Sequence, residues 1–354
     1  MQREVTAASL PRNPSSLGKC DPRYSRSNAS TSSGSVHKPI NLIVNGQPSG
    51  ATEGRAPRNL ERLVCALSAT VRGVTPFATA SAVERVADGI YHAFIDESWN
   101  LQPLPQGGVI AAVALRAMSD ALADPTQRLR TMHTLFIGQV ADGDLEIDVE
   151  ILRRGRSMSH IRAHVRNPGA SNGHITTAVF GATREGFDFT ELRRPLVPPP
   201  EQCPSFRDPP PPGVPEFEPN PFWATRVEGR AALGVAPWED VDDRAAEQAI
   251  WYRFDDTPWI DDGDRLDPFA IVLLADTMPG AIGQRVGPTE RPWFGPSVDL
   301  TVHMCSDCHA DWILGHNTAR WAGDGYASVD MALWDGDTLV AYATQTSFFT
   351  FLDR

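Results

Sequence analysis

The sequence predicts an α+β protein of two similar halves, each a buried helix laid against a meander of antiparallel strands. Two runs are apolar almost all the way round. They are "GGVIAAVALRAM", where only Arg116 interrupts the stretch from Val109 to Met118, and "LDPFAIVLLADTMPGAI", Leu266 to Ile282. Helices without a solvent stripe belong inside a fold. Behind each run come segments that alternate apolar and polar residues, the period of a half-buried strand. The halves also repeat: an offset of 168 (323 − 155) carries Gly155 onto Gly323, Met132 onto Leu300 and Phe136 onto Met304. That pattern reads as an internal duplication.

Along the chain, residues 1–72 are rich in Ser, Asn, Arg, Pro and Gly, the composition of a disordered leader with one short helix near Leu60 to Val71. An organellar transit peptide fits such a leader less well, because Glu4 and Asp21 break the acid-poor pattern; an upstream start codon is the other explanation. The first folded unit, 75–190, opens its helix with Gly107 and Gly108. Its strands follow: Leu145, Ile147, Val149 and Ile151 alternate with Glu146, Asp148 and Glu150. After a turn at Arg154 to Arg156, Ile161, Ala163 and Val165 alternate with His160, Arg162, His164 and Arg166. Proline density over residues 191–222 predicts a stiff, extended connector. The second unit, 223–354, repeats the plan, with turns at "AGDG" and "WDGD". One long helix wrapped by a curved sheet is the hot-dog arrangement, and two fused in one chain form a back-to-back pseudo-dimer.

Composition narrows the function. The chain has 354 residues, 41% of them hydrophobic, and a net charge of −12, which disfavours nucleic acid as a partner. Lys19 and Lys38 are the only lysines. Five scattered cysteines, Cys20, Cys65, Cys203, Cys305 and Cys308, suit reduced thiols of a cytoplasmic protein better than a disulfide framework. No apolar run is long enough for a membrane span, and none near the N-terminus resembles a signal peptide.

With these elements in place, the first half, from "PLPQGGVIAAVALRAM" to "SMSHIRAHV", resembles the N-terminal hot-dog domain of the acyl-CoA thioesterase II (TesB-like) family. The second, with "LDPFAIVLLADTMP", "GPSVDLTVHM" and "AYATQTSF", resembles its C-terminal domain. The resemblance implies hydrolysis of an acyl-CoA, or a related acyl thioester, to free acid and thiol. It implies water as the nucleophile, with no covalent intermediate, metal or organic cofactor. It also implies an Asp, a Ser or Thr, and a Gln from the second half that hold this water, which motif by motif are Asp276, Ser297 and Gln345. The acyl chain is expected between the two central helices, and hot-dog domains tend to form homo-oligomers.

The chemistry suits these residue types. A thioester has a good leaving group, so its hydrolysis needs chiefly a positioned water, a base and donors for the oxyanion. A carboxylate on an apolar helix tends toward a raised pKa, which suits a base. Gly107 and Gly108 leave bare N–H groups at a helix N-terminus, expected to face the thioester carbonyl. Arg153, Arg154 and Arg156 are candidates for the phosphates of coenzyme A. Each residue also has a plainer use: Asp276 as a cap, Gln345 as a solvated strand residue, the glycine pair as turn punctuation.

Two other function classes stand beside this one. A hot-dog hydratase or dehydratase would use an Asp/His pair, for which only His92 and Asp96 are near each other; a non-catalytic acyl-thioester binding module would need no trio. "CSDCH", Cys305 to His309, has the form of a haem attachment motif, with His303 and Asp311 as further metal-type ligands, but neither an export signal nor a second ligand pair accompanies it. No Gly-x-Ser-x-Gly elbow, phosphate loop or dinucleotide fingerprint is present, and the sequon at Asn28 lacks a secretory context.

Overall fold

The computed structural model describes residues 75–352 except 102, 215–218, 237–238, 240 and 290; the predicted leader lies outside them. The first half runs α1 (Pro76–Ala80), β1 (Glu84–Ala87), β2 (Ile90–Ile95), α2 (Gly107–Leu122), β3 (Arg128–Phe136), β4 (Gly143–Arg153), β5 (Met158–Arg166) and β6 (His174–Gly181). The second runs α3 (Pro221–Thr225), β7 (Val227–Leu233), β8 (Glu247–Phe254), α4 (Pro268–Ala275), α5 (Gly280–Val286), β9 (Ser297–Met304), β10 (Ile313–Gly323), β11 (Tyr326–Asp335) and β12 (Thr338–Phe348). Asp324 and Gly325, at φ 52° and 83°, make the tight turn between β10 and β11.

These twelve strands form one antiparallel sheet in the order β1-β2-β4-β5-β6-β3-β9-β12-β11-β10-β8-β7. Read from either end, the order is the same with the halves exchanged, as the expected duplication requires. The offset of 168 that takes Phe136 to Met304 takes the last residue of β3 to the last of β9. These two strands form the seam, pairing Leu135 with Asp299, His133 with Thr301 and Thr131 with His303. Side chains reinforce it, with His133 Nδ1 2.9 Å from Thr301 Oγ1 and His303 Nδ1 3.0 Å from Thr131 Oγ1.

The sheet wraps α2 and α4, which pack against each other at its centre. Val109 to Leu115 and Ala270 to Ala275 are buried, so the all-round apolar pattern has its explanation. Their approach is close enough that a methyl group on Gly108 would lie 2.8 Å from Leu273 Cα and 2.9 Å from the carbonyl oxygens of Val272 and Leu273.

Two expectations are corrected. The second apolar run is not one helix: α4 stops at Ala275, and Asp276, at φ −88° and ψ 37°, turns the chain before α5 starts at Gly280. Pro279 supplies the reason, since it lacks an N–H and pushes the residue before it away from helical geometry. Nor is the proline-rich segment only a connector, because its later part straps the second half. Trp251 Nε1 donates to Pro198 O (2.9 Å), Arg230 Nη1 to Pro200 O (2.9 Å) and Phe206 N–H to Gly229 O (2.8 Å), while Cys203 is buried with Trp251, Leu314 and Trp334. Prolines cannot donate backbone hydrogen bonds, but their carbonyls accept them, and that is how the strap is held.

Candidate active site

The break after α4 presents Asp276 to the N-terminus of α2. Thr277 secures the turn: its hydroxyl donates to Leu274 O (2.8 Å) and lies 2.7 Å from the buried Tyr252 hydroxyl. The Asp276 carboxylate is buried, and its two oxygens have different company. Oδ1 accepts from Gln345 Nε2 and, at 3.4 Å, from Ser297 Oγ; Gln345 Nε2 also donates to Ser297 Oγ at 2.8 Å. Oδ2 accepts from Gly108 N–H at 2.9 Å, and the Gly107 amide also hydrogen-bonds the carboxylate.

The three residues named from their motifs are therefore in mutual contact. Ser297 is the first residue of β9, ahead of a bulge, and Gln345 lies on β12, turned inward and 2% exposed. Asp299, two residues further along β9, is engaged elsewhere and accepts from Thr346 N–H at 2.8 Å. Burial pushes the Asp276 carboxyl up to about 7, with the hydrogen bonds from Gln345, Gly108, Ser297 and Gly107 pulling the other way. Every partner named here is a neutral donor, so the carboxylate is held without a cation to take its basicity away. Gln345 Oε1 is buried and accepts from no described protein group.

The glycine pair also has a steric reason. A methyl group on Gly107 would sit 2.7 Å from Asp276 Oδ2 and 2.6 Å from Phe136 Cε1, so only glycine lets the carboxylate reach the helix end. The amides expected at the thioester carbonyl hold the carboxylate here, since the positive end of α2 draws the nearest acidic group.

Sequence reasoning missed three neighbours. Gln106, 1% exposed, caps α2 by accepting from Val109 N–H (3.0 Å), while its Nε2 donates to Leu273 O (2.8 Å) and Asp276 O (3.0 Å), tying the two central helices together. Glutamine is not among the favoured capping residues, so nothing in the sequence marks it. Phe136 packs edge-on against His174 at 4.8 Å, and burial lowers that imidazole to about 4.

The three arginines are not brought to this site. Arg154 grips the other end of α2, donating to Leu122 O (2.6 Å) and Ala121 O (3.0 Å), about 20 Å from Gly107 at 1.5 Å per residue. Arg153 and Arg156 flank it on the surface. Nor do His92 and Asp96 form a pair: His92 is exposed on β2, and Asp96 accepts from Ser98 N–H at 2.8 Å to cap a short 3-10 turn. In "CSDCH", Cys305 and Cys308 carry free thiols that donate to His303 O and Ala310 O, and burial raises both, Cys308 to about 12. Among the described residues no cluster of three or more His, Cys, Asp or Glu could hold a metal ion, and no helix is long and apolar enough to cross a membrane.

Comparison with known proteins agrees with this architecture. The family model for the acyl-CoA thioesterase N-terminal domain matches residues 95–182, and that for the C-terminal domain matches residues 200–349. Among solved structures, a hot-dog-fold protein of unknown function from Alicyclobacillus acidocaldarius is similar at 24% identity and a TM-score of 0.66, over 78% of this chain and 98% of that one. Acyl-CoA thioesterase II TesB2 from Mycobacterium marinum is similar at 20% identity and a TM-score of 0.59, over 78% and 99%. At such identities these likenesses concern the fold. No curated protein matches the chain. With both domain models matched in order on a sheet of two pseudo-equivalent halves, the chain belongs to the acyl-CoA thioesterase family and is a thioester hydrolase of tandem hot-dog architecture.

Proposed function

We propose that the protein hydrolyses acyl-CoA thioesters with a water held by Asp276, Ser297 and Gln345. The observation that carries this reading is the closed contact of these three side chains beside the Gly107 and Gly108 amides. The 3.4 Å approach of Ser297 to Asp276 is the loosest contact in the group and the place where a water inserts. Such a water donates to Asp276 Oδ1 and to the unpartnered Gln345 Oε1, which leaves a lone pair for the thioester carbon.

As the C–O bond forms, the water's proton passes to Asp276, whose raised pKa suits a base near neutrality. The carboxyl then loses its charge and its hold on the α2 amides, and the Gly107 and Gly108 N–H groups turn to the new oxyanion. Collapse breaks the C–S bond, and the proton on Asp276 leaves with the thiolate, giving free acid and thiol.

Thiol release from a panel of short, long, branched and aromatic acyl-CoAs tests this reading, with the Asp276→Ala protein alongside. Turnover that the variant loses by about a hundred- to ten-thousandfold is expected. No release from any acyl-CoA, or release unaltered by the substitution, would overturn it.

A further inference from the structure

The pseudo-two-fold gives the aromatic rim that follows Ser347, the strand partner of Ser297, a counterpart in the first half, and the two rims differ in size and charge. Strand pairing fixes the equivalence. Phe348 pairs with Tyr326 as Gly181 pairs with Met158, and Phe349 N–H donates to Gly325 O (2.9 Å) as Ala182 N–H donates to Ser157 O (3.0 Å). The sequence Phe348-Phe349-Thr350-Phe351 thus stands where the first half has Gly181-Ala182-Thr183-Arg184. In the second half the rings fill the rim: Trp293 packs edge-on against Phe349 at 5.6 Å, and Trp293–Phe294 forms a short ladder with Thr350–Phe351. In the first half the missing rings leave a cleft of about 310 Å³, whose walls include Arg130, Ser157, Ala182, Thr183 and Arg184.

No residue lining this cleft is acidic, on a chain whose net charge is −12. Arg130 Nε donates to Gly181 O at 3.0 Å, which holds its guanidinium at the cleft, and a methyl group on Gly181 would approach Arg130 Cγ to 3.2 Å. Among the described residues neither Arg130 nor Arg184 has a carboxylate partner, whereas Arg128, close by on the same strand, is paired with Asp307 at 2.9 Å. Two guanidinium groups and two hydroxyls around one concavity form a donor set for phosphate oxygens.

We propose that this cleft binds a phosphoryl group and is a second, non-hydrolytic site. The positions that match Ser297 and Gln345 are Leu129 and Ala178, as shown by the pairs Leu129–Phe180 against Ser297–Ser347 and Ile161–Ala178 against Val329–Gln345. A ligand held here meets no equivalent of the trio.

The test is calorimetric titration of the full chain with inorganic phosphate and with 3′-phosphoadenosine 5′-diphosphate, the nucleotide end of coenzyme A. Wild type is compared with Arg184→Glu, Ala182→Phe and Asp276→Ala. Expected is saturable binding of at least one probe that Arg184→Glu and Ala182→Phe each weaken roughly tenfold or more and Asp276→Ala leaves unchanged. Equal affinity for the two probes assigns the site to free phosphate, and tighter nucleotide binding assigns it to a phosphorylated carrier. Arg184 is exposed, so its substitution leaves the fold intact if the larger Ala182→Phe change does not. No binding of either probe to wild type, binding that survives Arg184→Glu, or binding lost in Asp276→Ala would overturn the proposal.

Discussion

The two ends of the helix crossing follow one plan and carry different chemistry. At one end Gln106, the cap of α2, reaches across to α4, and Asp276 meets only neutral donors. At the other end Asp267, the cap of α4, is ion-paired with Arg116 of α2, which also donates to Ser81 Oγ at 3.2 Å and stacks over Phe269. The strand positions facing these ends are Ser297 and Gln345 on one side, Leu129 and Ala178 on the other. Duplication supplied two equivalent crossings, and only one surrounds a buried carboxylate with groups that leave it basic. The difference lies in the counter-charge, since a guanidinium beside a carboxylate favours its charged, weakly basic form.

The largest test of this contrast is pH. Activity that depends on ionised Asp276 rises with pH and levels above about 7, so log kcat/KM should climb with unit slope below that point. The same carboxyl makes the fold less stable as pH rises. Its folded pKa lies above the ordinary value of 3.8, so the native state binds the extra proton between about 4 and 7, and stability falls across that window. Asp276→Asn should therefore abolish turnover yet raise the Tm above pH 7, with the gain vanishing below pH 4; a Tm difference independent of pH would refute the assignment. Next in size, Gln345→Leu should lower kcat about a hundredfold and Ser297→Ala about tenfold, because the first removes both the donor to Asp276 and the free acceptor.

Gly108→Ala acts on spacing. The added methyl group pushes against the backbone of Leu273, and chemical denaturation should show a loss of about 1–3 kcal/mol. The smallest effect belongs to the inactive crossing. Arg116 is 32% exposed against 6% for Asp267, so solvent screens the pair and Arg116→Ala should cost about 1–2 kcal/mol while leaving kcat unchanged. A large fall in kcat would show that the two ends are coupled.

Much of this was legible in the sequence, for identifiable reasons. The two halves of antiparallel strands follow from strict alternation, a local property of the text, and from the repeat offset, which needs only the text compared with itself. Asp276, Ser297 and Gln345 each sit in a short motif, so matching motifs was enough to name three residues that the fold brings into contact. Gln106 could not be found that way, because its meaning lies in carbonyls 167 and 170 residues away. The partners of Arg154 were hidden for a related cause: a basic turn gives no sign of the helix end that the fold places beneath it. The helix break was masked by an apolar run in which Pro279 was the only sign.

The seam between β3 and β9 governs how the protein comes together. The contacts within the trio span 21 to 69 residues, whereas the Gly108–Asp276 and His133–Thr301 contacts both span 168. Contacts that close long loops form late, because chain entropy opposes them until neighbouring structure is in place. Each half can lay down its own strands before the crossing assembles, so on refolding thiol release should return after sheet structure does. Carrying both halves on one chain also makes that last step independent of protein concentration, and the active site survives dilution that would separate two subunits.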